Sequence, residues 1–482
     1  MTSEDNEQDH RYGAMGLTLS AAAAALRDGT STSRALTEVA IANADATDEL
    51  LGTYLARFDE AALAAADRAD AELANGLDRG PLHGIPFAVK DIIAVADGPT
   101  TAQSLVLDPA WAAGRDAPVV ARLRAAGAVI TGKTSTMEFA VGMPDTTKPF
   151  RLPRNPWNPG TWAGGSSSGS GAGVAAGTFL GALGTDTAGG IRIPAAFCGV
   201  SGLVPTFGRV PKTGVVPLGF SLDHVGTIAR AARDCAEVLA VIAGPHPSDP
   251  DSADAPFAAP DRLWSGDLAG LRIGVLREGH FPPETDPAVP GAFGSALDVL
   301  GALGADLAEV TLPYWAEMHT VNMVTMCGEA VAYHRNDLAN RWHDYFAPTR
   351  QLLAFGALMS GADYVQAQRV RRAAQDAVRR LFARFDVLVG PLSSVPAPRY
   401  LDEHANVDLA DISAVVHTEY WDSLATPILA VPMGFTADGM PLSLQLVARA
   451  FDEATLLRVG DAFQRRTDWH LRTPRSVLTA TA

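Results

Sequence analysis

Three stretches of this sequence could do chemistry together. The first is a glycine- and serine-rich segment, Gly164-Gly165-Ser166-Ser167-Ser168-Gly169-Ser170-Gly171. The second is Gly184-Thr185-Asp186-Thr187-Ala188-Gly189-Gly190-Ile191-Arg192-Ile193-Pro194, and the third is Lys90 inside the apolar run Ile85-Pro86-Phe87-Ala88-Val89-Lys90-Asp91-Ile92-Ile93. Glycine density leaves little side chain around the backbone, so consecutive N–H groups can point into one concavity and receive a negative oxygen. That is the electrostatic requirement of acyl transfer. Spacing alone leaves two readings of Lys90: a surface lysine paired with Asp91, or an amine desolvated among Phe87, Val89, Ile92 and Ile93. In the second, burial lowers the ammonium pKa, and neutrality at pH 7 requires a fall from about 10.4, worth roughly 4 kcal/mol.

The two glycine-rich segments resemble the amidase signature, carried by serine-hydrolase amidases that cut carbon–nitrogen bonds with a Ser, cis-Ser, Lys triad. Its usual form is Gly-Gly-Ser-Ser-Gly-Gly followed by Gly-Thr-Asp-x-Gly/Ala-Gly-Ser-Ile-Arg. The match continues through Pro194-Ala195-Ala196-Phe197-Cys198-Gly199-Val200 and Gly202-Leu203, and residues 84–91 resemble the accompanying Gly-Ile-Pro-x-x-x-Lys-Asp segment. The resemblance makes Lys90 the triad lysine, Ser166 the cis-serine and position 190 the seat of the nucleophilic serine. Position 190 is glycine, in a register held without a gap by residues 184–189 and 191–194. The resemblance further implies that Lys90, neutral at rest, is the base and Ser166 the relay. Backbone N–H groups of Thr187, Ala188, Gly189 and Gly190 are the implied oxyanion donors, each worth about 3 kcal/mol in serine hydrolases. Asp186 and Arg192 flank this turn and read as its brace. Gly165, Ser167, Trp315, His319 and Met326 are candidate pocket residues for a small carboxylic amide, and no cofactor or metal is implied.

Without an Oγ at 190 no acyl-enzyme can form there, and loss of a triad nucleophile lowers turnover about 10⁶-fold in a comparable serine hydrolase. Three explanations compete. The favoured one is a deliberate replacement in an active amidase, suited to trapping substrate, because Lys90, Ser166 and the glycine turn are all intact. The others are a natural protein that binds an amide without cutting it, and direct attack by Ser166 or Ser167. A reading from another functional class is a protein like the signature-bearing subunit of glutamyl-tRNA(Gln) amidotransferase, which works in a complex. Residues 202–206 depart from the Lys-Pro-Thr common to that branch and to many amidases.

Three other motifs fail on context. Gly127-Ala128-Val129-Ile130-Thr131-Gly132-Lys133-Thr134 satisfies the Walker A pattern, but an apolar strand fills the interior where a flexible phosphate loop is needed. Gly165-Ser166-Ser167-Ser168-Gly169 fits a nucleophile elbow, yet a proline-broken loop precedes it instead of a strand. Residues 171–176 fit a loose dinucleotide fingerprint with no strand feeding it.

The elements that must position these residues alternate. Helices are expected over residues 21–27 capped by Ser20, from Ser33 onward, over 59–74, 119–126, 172–183, 231–242 and 287–303, with a mostly helical region over 313–385. Strands are expected over 85–93, 128–131, 271–276 and 385–391. The interleaving predicts an α/β protein, and the resemblance implies a twisted mixed β-sheet with helices on both faces in a single domain over residues 1–482. Within it, residues 1–15 read as a disordered start, 16–78 as N-terminal helices, 80–235 as the signature core, 313–385 as a variable helical pocket region and 385–465 as the C-terminal part of the core.

Composition bounds the partners. Thirty-eight basic residues face 54 acidic ones, a net charge of −16, which argues against nucleic acid. The run Arg369, Arg371, Arg372, Arg379 and Arg380 has helical spacing and reads as a solvated face. Three scattered cysteines fit a reducing compartment, and neither an apolar leader nor an apolar run of ~18 residues appears, so no membrane partner and a cytoplasmic location are expected. A homodimer is left open as an assembly state.

Overall fold

The computed structural model describes residues 16–259, 264–401 and 409–474, so the expected disordered start at 1–15 lies outside the described residues. In chain order the strands are β1 (Tyr54–Arg57), β2 (Pro86–Lys90), β3 (Val129–Thr134), β4 (Arg154–Asn155), β5 (Asn158–Trp162), β6 (Gly181–Asp186) and β7 (Ser201–Val204). They continue with β8 (His224–Ala229), β9 (Arg272–Leu276), β10 (Asp306–Val310), β11 (Val387–Pro391), β12 (Ile428–Phe435) and β13 (Pro441–Ala448). Among the described residues, eleven of them form one sheet in the order β1-β3-β2-β6-β8-β7-β12-β13-β11-β9-β10, and β4 pairs with β5 apart from it. The sheet is mixed: β2 runs parallel to both β3 and β6, whereas β6–β8, β7–β8, β12–β7 and β12–β13 are antiparallel.

Side chains of a strand alternate between faces, and here the alternation sorts the apolar residues into two cores. Phe87, Val89, Leu429, Val431, Val387 and Val389 belong to one, with the helices Leu19–Asp28, Ala232–Ile242 and Glu453–Gln464 packed over it. Ala88, Ile428, Ala430 and Leu388 belong to the other, covered by Ser168–Ala176, Arg192–Cys198 and part of Gly361–Leu381. A sheet buried on both faces reads as continuous apolar runs, which is why its central strands show no polar alternation.

The expected helix over 172–183 is corrected. The helix spans Ser168–Ala176 and stops at Gly177, which adopts a left-handed φ of 68°, and β6 begins four residues later. An apolar stretch buried all round has no polar face, so periodicity could not separate the end of this helix from the start of a strand. Two caps also shift by a residue or two: Thr18 Oγ1 accepts from Ala21 N and Thr32 Oγ1 from Ala35 N, the roles expected of Ser20 and Ser33. The arginine run is not uniformly solvated. Arg371 is buried, donating to the carbonyls of Ser423 and Ser221, because Gly361–Leu381 lays that face against the core.

Close backbone approach, not turn geometry, fixes one of the signature glycines. A Cβ on Gly169 would lie 2.1 Å from the carbonyl oxygen of Thr53 and 2.7 Å from Ser135 N, both backbone atoms. Gly169→Ala is therefore expected to destabilise the chain by about 1–3 kcal/mol through overpacking, read as a lower denaturation midpoint in urea with an unchanged slope.

The lysine of the Walker-like segment is accounted for structurally. Lys133 lies in β3, fully buried, donating to Ile93 O at 2.7 Å and Thr100 Oγ1 at 2.8 Å and pairing with Asp91 at 3.1 Å. Asp91 therefore belongs to Lys133 and not to Lys90, which removes the surface-pair reading of Lys90.

Candidate active site

Parallel strands β2 and β6 lie side by side and end together, so their last residues meet at the carboxyl edge of the sheet. Lys90 closes β2 and Thr185-Asp186 closes β6. Lys90 Nζ lies 2.7 Å from Ser166 Oγ and 2.8 Å from Thr185 Oγ1, and its side chain is fully buried. Complete burial pulls the Lys90 ammonium down to about 7, against the opposing pull of the Asp186 and Asp223 carboxylates.

Ser166 reaches this point on the loop that precedes Ser168–Ala176, and its peptide bond to Gly165 is cis. Its carbonyl accepts from Met137 N at 3.1 Å and Thr136 Oγ1 at 2.9 Å, which fixes the loop against the segment following β3. Next to it, Ser167 N donates to Gly190 O at 3.0 Å and ties the two glycine-rich stretches together. A Cβ built on Gly190 would stand 2.8 Å from Ser166 Oγ. Lys90, Ser166 and position 190 are thus brought together from distant parts of the chain.

The turn between β6 and Arg192–Cys198 is held by Asp186. Its carboxylate accepts from Gly189 N at 2.6 Å, Ile191 N at 3.0 Å and Arg192 Nε at 3.0 Å. Arg192, also fully buried, spans to Asp422, to Gln445 Oε1 and to the Thr418 carbonyl. Burial alone would raise the Asp186 carboxyl, but the Arg192 charge outweighs it and holds Asp186 well below the usual carboxylate range. Burial pushes Asp422 well above that range, and the Asp186 charge adds to the rise. The Arg192 charge opposes that rise, so of the two carboxyls Asp422 is the one that holds a proton more readily.

This brace changes the expected set of donors. Gly189 N is spent on Asp186, so Gly189 drops out, while the N–H groups of Thr187, Ala188 and Gly190 have no partner among the described residues. In a trans peptide the C=O and the following N–H point in opposite directions. Asn322 Nδ2 holds Thr187 O at 3.2 Å and Ile193 N holds Gly189 O at 2.8 Å, which turns the N–H groups of Ala188 and Gly190 the other way. Asn322, Thr418, Thr136 and Thr185 are positioning residues that sequence reading missed. Thr185 alone carried a signal, being next to Asp186 at the end of its strand.

A cavity of about 270 Å³ opens over this turn. Gly165, Ser166, Thr187, Ala188 and Gly190 line one side, and His319, Met323 and Met326 of the helix Trp315–Arg341 line another. Two expected pocket residues lie elsewhere. Trp315 stacks on His280 at 4.7 Å between ring centroids and packs on Tyr420, because its position on the helix faces the second core and not the cavity. Ser167 is buried with its Oγ against the backbone of Thr185, at 3.2 Å from the amide and 3.3 Å from the carbonyl. His319 Nδ1 is hydrogen-bonded to Glu419, also on the cavity wall; that bond raises the His319 pKa. Among the described residues no group of His, Cys, Asp and Glu is arranged to hold a metal ion, and no helix is long and apolar enough to cross a membrane.

Fold and cavity together define the class: an α/β protein with a buried lysine–serine pair beside a turn of unpaired backbone N–H groups. The chain belongs to the amidase family, whose model, Amidase, matches residues 35–457. It is 41% identical over 488 residues to a glutamyl-tRNA(Gln) amidotransferase subunit of Chloroflexus aurantiacus, covering 96% of this chain and 99% of that one. It is 40% identical over 439 residues to an amidase of Pseudomonas putida, covering 89% and 92%. A solved structure from a vestigial protein complex bearing on the origins of an s-triazine catabolic enzyme matches with a TM-score of 0.86 at 33% identity, over 93% of this chain and 98% of that chain.

Proposed function

We propose that this chain is an amide hydrolase of the Ser, cis-Ser, Lys type in which glycine occupies the place of the nucleophilic serine, so that it binds a small carboxylic amide without cutting it. In the parental form with serine at 190 the neutral Lys90 amine accepts the Ser166 hydroxyl proton as Ser166 accepts that of the nucleophile, and in the present chain, with no hydroxyl at 190, neither transfer starts. The N–H groups of Thr187, Ala188 and Gly190 receive the oxyanion. The observation that carries the reading is the 2.7 Å contact between Lys90 Nζ and Ser166 Oγ, in a buried site whose hydroxyl faces the missing side chain of residue 190. Retention of the relay beside an absent nucleophile supports a replacement in an active parent. Strands drawn from both ends of the chain into one sheet support treating the signature core, the helical region and the C-terminal part as one domain.

The base assignment has a pH signature. In Gly190→Ser, kcat/KM is expected to rise about tenfold per pH unit up to about 7 and then level off, as Lys90 sheds its proton. Lys90→Ala in that background removes both the rate and the rising limb. A profile flat between about pH 5 and pH 9 with Lys90 present would exclude it as the base.

A second reading is favoured by one finding, the 41% identity to a glutamyl-tRNA(Gln) amidotransferase subunit over 96% of the chain. A protein isolated stably without a partner and binding simple amides counts against it, whereas glutamine hydrolysis by Gly190→Ser that appears only on addition of a partner supports it.

A further inference from the structure

The cavity that receives the amide also constrains what the amide carries. Its wall away from the glycine turn is apolar: Met137, Trp162, Leu218, Met323, Met326 and Val416. Among the described residues no arginine or lysine lines it. Among the described residues the charged groups on the wall are His319 and Glu419, and they are bonded to each other across 100 residues of sequence. Protonated, His319 cancels the Glu419 carboxylate, so the wall offers a paired dipole and no free charge. Against the described residues a substrate carboxylate would lose its water and meet no arginine or lysine, and a substrate ammonium would find the Glu419 carboxylate already engaged.

We infer that this cavity selects amides with an uncharged, apolar acyl group, and that the His319–Glu419 pair enforces the selection by leaving no unpaired charge among the wall's described residues. The inference rests on the amidase reading and names its substrate class. At about 270 Å³ the space lies just below the usual ~300–1,000 Å³ of ligand sites, enough for a small alkyl or aryl acyl group. Glutamine, with both a carboxylate and an ammonium on its acyl chain, is the wrong chemistry for it. Specificity by exclusion of this kind acts through unpaired buried charge in the wrong complex, not through extra contacts in the right one.

The present chain can be used directly, since it binds without turnover. Titration calorimetry with three near-isosteric amides, hexanamide, δ-aminovaleramide and glutaramate, is expected to give hexanamide the tightest binding, by at least about 30-fold over either charged analogue. His319→Leu strips Glu419 of its partner, and δ-aminovaleramide is then expected to bind about tenfold tighter while hexanamide changes less than about twofold. His319 is half exposed, so the variant should fold, and the ranking on the unmodified chain does not depend on it. Equal binding of all three, tighter binding of glutaramate or glutamine, or no binding of any of them overturns the inference. Turnover by Gly190→Ser tests the amidase reading separately, so the two can fail independently.

Discussion

Gly190→Ser is expected to raise amide turnover about 10⁶-fold over the present chain, the factor associated with a triad nucleophile in a comparable serine hydrolase. The groups that the proposal assigns to the reaction already lie around position 190. Lys90 is already desolvated to about 7, Ser166 already lies 2.7 Å from it, and the turn already presents three N–H groups without a partner among the described residues. The φ of Gly190 is outside the left-handed region, so a serine is compatible with the backbone there. Its Cβ would nonetheless stand 2.5 Å from the Thr185 carbonyl oxygen, and the turn must open by about half an ångström to admit it. That adjustment separates Gly190→Ser from Gly190→Ala: both incur it, and only the serine gains a nucleophile, so the alanine variant is expected to stay inert. Initial rates of ammonia release over a panel of primary amides, and of acid release over a panel of esters, give the measurement. A serine variant that folds, binds and still turns over nothing would mean that the protein works by binding alone.

Asp186→Asn is expected to destabilise the fold by about 3–5 kcal/mol, whereas Asp422→Asn costs about 1 kcal/mol or less. The two carboxyls touch the same buried guanidinium, so contact alone does not predict the difference. Protonation does. Asp186 holds the negative charge that neutralises Arg192, and its loss leaves a cation inside the protein with the turn's N–H groups of Gly189 and Ile191 facing an amide in place of a carboxylate. Burial and the Asp186 charge raise Asp422, so asparagine there replaces the carboxyl that gives up its charge more readily. Guanidinium denaturation of the two variants at pH 7 gives the comparison. Equal losses would show the charge to be shared between the two carboxyls. Because Asp186 also fixes which amides stay free, its variant should weaken amide binding as well as stability, which Asp422→Asn should not.

Much of the site was written in local sequence. The glycine spacing marked the turn, the run around Lys90 marked a strand while leaving the lysine's burial open, and Asp186 with Arg192 marked a brace, because each depends on neighbours within about ten residues. The α/β alternation was legible for the same reason. What failed were judgements that needed to know which way a residue faces. Trp315 and His319 sit four residues apart on one helix, yet one packs into the second core and the other lines the cavity. Arg371 looked like its exposed neighbours until Gly361–Leu381 was seen to press that face inward.

By itself the sequence determined the chemistry available: an amine in an apolar strand, a serine, a glycine-built turn and a glycine at 190. Only the tertiary structure decided which of those groups act on one another. It placed Lys90 on Ser166 and gave Asp91 to Lys133, withdrew Gly189 from the free amides, and brought Glu419 onto His319 from 100 positions away. The physical reason is that hydrogen bonds and charge pairs are decided over about 3 Å, and separation along the chain carries almost no information about contacts of that length.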